Sequence, residues 1–206
     1  MVDTKETRKF IAQNFQYIHI AKQFDTAPQN YILFYYYMNI SIATAADIPA
    51  LNILINSAYR GEDAKKGWTT EADLLDGIRT DESSLASLIS QPGAVMLTCR
   101  NKTGNITGCV YLEKQPDTFY LGMLTVSPLL QGAGTGLQLL QAAENYVKNE
   151  KGDAISMTVI SVRHELIAWY ERHGYTKTGE TKPFPTDPSF GIPKQPLEFV
   201  VMKKKI

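Results

Sequence analysis

Only two cysteines occur in the 206 residues, Cys99 and Cys109. They lack CxxC spacing and no histidine clusters with them, which excludes a recognisable zinc motif or disulfide framework. Each lies in an apolar run that reads as a strand, where a free thiol behaves as a small hydrophobe, so both are expected reduced and in the core. An excess of one charge is missing too. Lysine plus arginine and aspartate plus glutamate each number 21, so no global field recruits nucleic acid or an anionic membrane. The longest apolar run, residues 31–38, is too short to span a bilayer. No basic segment leads into a longer apolar one as in a secretory signal, and the cytoplasm is the default compartment. Repeats and low-complexity tracts are absent apart from Lys203-Lys204-Lys205, which reads as a solvated tail.

What is present is an ordinary globular balance, with 44% hydrophobic and 20% charged residues. A chain of this length suits one sizeable core with trimmings. Residues 1–38 read as an N-terminal extension: polar with scattered aromatics and little periodicity. Met38 stands directly before the first convincing strand, so residues 1–37 are expected to be dispensable. Residues 39–206 form the main domain.

That domain opens with a short alternating strand at 40–43 and a helix entered through Asp47 and Pro49. Leu51, Leu54, Ile55 and Ala58 give the helix one apolar stripe up to about Tyr59. Residues 61–68 read as a loop, 71–78 as a helix capped by Thr69 or Thr70, and 82–89 as another helix. Three strands follow at 94–100, 106–113 and 119–126, joined by short polar turns that make antiparallel hairpins. A long helix at 134–150, stopped by Gly152, leads to a strand at 154–160. A helix at 165–173 and strands at 175–180 and 197–202 complete the chain. A strand-helix-strand crossover places its strands parallel, so the expected α/β fold is a mixed, mostly antiparallel sheet of six or seven strands flanked by helices.

The segment from Leu124 to Leu137 carries the chemistry. A strand ends at Pro128, and the turn Gln131-Gly132-Ala133-Gly134-Thr135-Gly136 opens the long helix. Small residues let backbone N–H groups approach an anion, and the unpaired first-turn amides and helix dipole favour negative charge there. No lysine closes the turn, which disfavours a Walker-type loop. Leu137 stands where the third glycine of GxGxxG would fall, and no downstream ribose-binding acid follows, so a dinucleotide fold fits poorly.

Gln131, Gly134 and Gly136 match the (Gln/Arg)xxGx(Gly/Ala) motif, with Val126 and Pro128 as the ValxPro lead-in, and here the sequence resembles the GNAT superfamily of N-acetyltransferases. Tyr170, Gly174 and Tyr175 resemble that family's TyrxxxGly(Phe/Tyr) signature, and the segment 44–49 resembles its opening strand and helix. The resemblance implies a splayed central strand pair and acetyl-CoA as co-substrate. It implies that Leu124, Thr125 and Val126 lie along the acyl and pantetheine arm, and that Gln131, Gly132, Ala133, Gly134, Thr135 and Gly136 grip the pyrophosphate. Tyr170 is then the expected acid. Seven residues before it, where many relatives carry asparagine, stands Arg163, either reaching a coenzyme phosphate or lying on the surface.

Acetyl transfer to an amine needs a neutral nitrogen, a polarised thioester carbonyl and a proton for the departing thiolate. An alkyl amine with pKa ~10.4 is unprotonated to about one part in a few thousand at pH 7, so a base or water chain is required. Glu113, at the end of a strand, is the candidate base, with a water relay as the alternative. The Val126 amide would polarise the carbonyl. Two irregular segments are expected to contact the acceptor, a small-molecule or peptide amine: residues 59–82, with an acidic excess suited to a cation, and residues 182–195, rich in proline and aromatics. No metal is expected, a homodimer stays open, and the rival function is a non-catalytic acyl-CoA sensor on the same fold.

Overall fold

The computed structural model describes residues 39–206; the expected extension, residues 1–38, lies outside them. The strands are β1 (Asn39–Ile42), β2 (Leu75–Asp76), β3 (Ala94–Arg100), β4 (Ile106–Gln115), β5 (Thr118–Val126), β6 (Ala154–Ile160), β7 (Thr176–Pro183), β8 (Ile192–Pro193) and β9 (Glu198–Lys205). The α-helices are α1 (Ile48–Tyr59), α2 (Gly61–Ala64), α3 (Glu82–Ser90), α4 (Thr135–Asn149) and α5 (His164–Arg172). Seven strands form one sheet in the order β1-β3-β4-β5-β6-β9-β7, antiparallel throughout except for the β5–β6 pair.

Local chemistry sets these elements. Pro49 sits in the first turn of α1, where its missing N–H costs nothing, and the stripe Leu51, Leu54, Ile55 and Ala58 is buried. Asp81 caps α3 by accepting from the Ser84 amide at 2.7 Å. Along β4, Cys109 packs with α1 and Leu85 of α3, whereas a Cβ on its neighbour Gly108 would meet Leu139 of α4. Successive strand residues face opposite ways, so α1 and α3 cover one face of the sheet and α4 the other. Neither cysteine is in a disulfide and both are buried, as expected. No described helix is long and apolar enough to cross a membrane.

The sheet opens at its centre. β5 pairs with β6 only through Phe119↔Ile155 and Tyr120↔Ser156. Beyond that point the β4–β5 register shifts between Cys109 and Tyr111, where Met123 takes φ +49°. An extra residue of this kind bends the bulged strand, and β5 leaves β6 while β6 keeps its full ladder with β9.

Three expectations need correction. Residues 71–78 are not a helix: they are turns leading into β2, which pairs with β8 and is held further by the Lys194 amide on the Leu74 carbonyl at 3.0 Å. These long-range bonds outweigh local helix preference. Within the expected loop 61–68, Gly61–Ala64 is a short helix. Lys203, Lys204 and Lys205 are not a solvated tail; they extend β9 opposite Ala154–Ser156, and Lys204 Nζ bonds both Glu144 oxygens at 2.8 and 2.9 Å.

Candidate active site

Where β5 and β6 part, two cavities open. The larger, about 480 Å³, is lined by Val126, Gln131, Gly132, Gly134 and Gly136 together with Trp68, Trp169 and His173. The smaller, about 340 Å³, lies against Tyr120, Thr158, Glu71, Arg79, Arg163 and Lys182. Tyr59, Leu124, Leu166 and Tyr170 line both, so the two cavities meet at these four residues.

In the larger cavity the glycine turn forms an open cradle. Gly132 and Gly134 hold φ of +82° and +86°, and nothing lies within 4 Å of where a Cβ on either would stand. Left-handed backbone of this kind suits glycine, and the missing side chains leave the amides accessible. Gly134 is the N-cap of the 15-residue α4 and supplies no capping side chain. First-turn amides without a cap are donors for an anion, so these residues fit a diphosphate. Farther back, the Ser127 amide donates to the Thr107 carbonyl at 2.9 Å. Neighbouring strand amides alternate in direction, so the Val126 N–H points away from β4 into the opening.

The structure brings together Leu124, Val126, Gln131, Gly132, Gly134, Gly136 and Tyr170 along the larger cavity. It does not bring Thr125, which is buried and turns its hydroxyl onto the Met123 carbonyl at 3.0 Å. Ala133 and Thr135 lie in the turn without lining either cavity. Glu113 lines neither cavity; its carboxylate accepts from Gln91 Nε2 at 2.7 Å and from the Tyr111 hydroxyl at 3.3 Å. Arg163 is not on the surface, and it lines the smaller cavity. It pairs with Glu165 and donates to the carbonyls of Trp68, Thr69 and Thr70.

The Gln131 amide works from the other side of the same segment. It accepts from the Trp68 N–H at 2.8 Å and donates to the Thr69 hydroxyl at 2.7 Å and the Val126 carbonyl at 3.1 Å. Gln131 and Arg163 therefore hold residues 68–70 between them as a strap beside the larger cavity. Trp68 lies 6.4 Å from Trp169, whose ring stands 4.3 Å from that of His173. The His173 ring also bonds the Trp169 carbonyl at 2.7 Å, near the C-terminal end of α5.

Tyr170 is 5% exposed, and burial pushes its phenol well above the ordinary value. Its ring meets Trp169 and Tyr175 edge-on, at 5.0 and 5.7 Å. Tyr59, at the end of α1, donates its hydroxyl to the Leu124 carbonyl at 2.8 Å. Burial, then the charge of Glu71, pushes the Tyr59 phenol up to about 12. Sequence reasoning gave Tyr59, Arg79 and Trp169 no role. The signal for Tyr59 was its place four residues after Ile55 on the buried stripe of α1.

Ion pairs take four of the seven acids in residues 59–82. Lys65 pairs with Glu62, Lys66 with Asp63, Lys194 with Asp76, and Arg60 with Glu71. The last pair is buried, with side chains 6% and 14% exposed. Among the described residues, Glu71 is the one carboxylate in the lining of the smaller cavity. Residues 182–195 contribute Lys182, Pro183, Pro185 and Phe190 to the same lining.

A sheet split at its centre carries an open amide cradle on one side of a buried tyrosine and a second cavity on the other. The family model described as an acetyltransferase (GNAT) domain matches residues 73–185, more than half of the chain, and the chain belongs to that family. No curated protein matches it. Among solved structures, the ribosomal-protein-S18-alanine N-acetyltransferase from Escherichia coli superposes with a TM-score of 0.62 at 17% identity, over 82% of this chain and 94% of its own. The IAA acetyltransferase from Bacillus cereus gives 0.59 at 15% identity, over 82% and 99%. A GCN5-related N-acetyltransferase from Kribbella flavida gives 0.59 at 17% identity, over 83% and 99%. At these identities the likeness establishes the GNAT fold, while the family match gives acyl transfer as the reaction class.

Proposed function

We propose that the protein transfers an acetyl group from acetyl-CoA to a primary amine, directly within a ternary complex. The observation that carries this reading is the meeting of the two cavities at Tyr170. The diphosphate of the coenzyme rests on the amides of residues 131–136, and the pantetheine runs along Val126, whose N–H is free of β4. The amine enters through the smaller cavity.

The base is assigned to Glu71 in place of Glu113, because Glu71 lines the amine chamber and Glu113 does not. One Glu71 oxygen pairs with Arg60; the other takes a proton from the ammonium and passes it to solvent. The neutral nitrogen attacks the thioester carbonyl carbon, the C–N bond forms and the C–S bond breaks. The sulfur takes the Tyr170 proton as it leaves, and the second nitrogen proton restores the phenol. Burial keeps Tyr170 protonated throughout the neutral range, so the phenol holds the proton that this step uses.

Calorimetry with acetyl-CoA and amine-stimulated thiol release test the proposal. Wild type is expected to bind acetyl-CoA and to release thiol with at least one amine. Tyr170→Phe is expected to keep its coenzyme affinity and lose about 10²-fold or more in kcat. Tight coenzyme binding with no turnover on any amine would replace this reading with the acyl-CoA sensor.

A further inference from the structure

We infer that the amine accepted in the smaller cavity carries a carboxylate close to its nitrogen, and that Arg79 reads that carboxylate. The inference rests on the proposal that this cavity is the acceptor chamber. Four charged side chains enter its lining: Glu71, Arg79, Arg163 and Lys182. Glu71 is matched by Arg60, and Arg163 is matched by Glu165. Arg79 and Lys182 have no ion-pair partner among the described residues, so the chamber faces its ligand with two uncompensated cations. A bare ammonium would enter against that charge; a zwitterion offers each group its opposite.

Arg79 is also held in place. Its guanidinium lies over the Tyr59 ring at 5.7 Å, and its backbone N–H donates to Asn56 Oδ1 at 2.7 Å. Asn56 is fixed in turn by its amide on the Asn52 and Thr80 carbonyls, at 3.0 and 2.9 Å. A fixed planar guanidinium suits a carboxylate, which it can bind with two parallel hydrogen bonds. The Tyr59 ring beneath it belongs to one of the four residues at which the cavities meet, so the guanidinium stands on the junction side of the smaller cavity. An amino acid, with amine and carboxylate on one carbon, fits that placement better than a peptide, whose carboxylate lies far from its terminal nitrogen. Tyr120, Phe190 and Phe199 supply an aromatic wall for the remaining side chain.

The test compares L-phenylalanine, L-phenylalaninamide, phenethylamine and O-phosphoethanolamine in acetyl-CoA-dependent thiol release. L-Phenylalanine is expected to exceed the amide and the bare amine at least tenfold in kcat/KM. Arg79→Gln is expected to shrink the ratio of L-phenylalanine to phenethylamine at least tenfold, mainly through KM, and Arg79→Lys to restore part of it. Equal use of the amide, preference for the phosphate compound, or an Arg79→Gln ratio like wild type would each overturn the inference while leaving amine acetylation standing. Calorimetry with CoA present reads acceptor binding without turnover. Selective binding of L-phenylalanine without transfer would uphold the carboxylate reading and overturn the proposed reaction instead.

Discussion

The contact between Gly67 and Gln131 offers a sharp test of the strap beside the larger cavity. Truncating Gln131 to alanine removes three hydrogen bonds, to the Trp68 amide, the Thr69 hydroxyl and the Val126 carbonyl. Each is worth about 1 kcal/mol net, and water regains part of the half-exposed site, so the expected loss is about 2 kcal/mol. For a domain of this size the melting temperature should fall by roughly 4–8 °C. Gly67→Ala attacks the same contact without deleting a polar group. A Cβ at Gly67 would stand 2.7 Å from Gln131 Oε1 and 2.9 Å from Cδ and Nε2, so the amide has to swing away. The stiffer unfolded chain returns about 0.4–1 kcal/mol, leaving a net cost of about 1–1.5 kcal/mol. Thermal unfolding of both single variants and the double variant closes the cycle. Once Gln131 is gone, Gly67→Ala should be neutral or mildly stabilising. An equal cost in both backgrounds would refute the claim that the two residues act through one contact.

Other consequences follow from packing and burial. Gly108→Ala is expected to lower stability by about 1–3 kcal/mol, because the new methyl would stand 2.9 Å from the Thr125 carbonyl oxygen and 2.7 Å from Leu139; urea unfolding reads this. Glu71→Gln should cost about 3 kcal/mol by leaving the buried Arg60 guanidinium without its counter-charge, and should lower kcat as well; equilibrium unfolding and steady-state rates separate the two. Burial pushes the Cys109 thiol from 9.0 up to about 12 and the Tyr59 phenol from 10.0 up to about 12. Both folded values are raised, so the folded chain holds these protons more tightly than the unfolded one. Their contribution is therefore full below pH 9 and lost between pH 9 and pH 12, which a series of melting temperatures against pH will show.

The elements that position the candidate site were legible wherever periodicity and turn chemistry agreed. The stripe of α1, the hairpins through β5 and the glycine turn at α4 stand where the pattern placed them. What escaped were features set by distant partners. Residues 71–78 carry a helical composition, yet the β8 ladder and Lys194, more than a hundred residues away, hold them in turns. Arg163 gave no local sign that it binds carbonyls of the strap, and Glu113 gave none that it faces Gln91 instead of a cavity. The lysine run looked like a tail because strands are recognised by apolar residues, whereas its backbone completes the edge of β6. Charge in the smaller cavity was misjudged for a related reason. The acids of residues 59–82 were counted together, but ion pairs consume most of them and the cavity lining keeps the cations.

The ladder of Leu75–Asp76 on Ile192–Pro193 fastens together two stretches that stand far apart along the chain. Both lie next to residues that line the smaller cavity, so neither can be lengthened or shortened without throwing the other out of step. Any shift of preference in this lineage should therefore appear as paired changes, and grafting one stretch alone from a relative should unravel the chamber instead of re-tuning it.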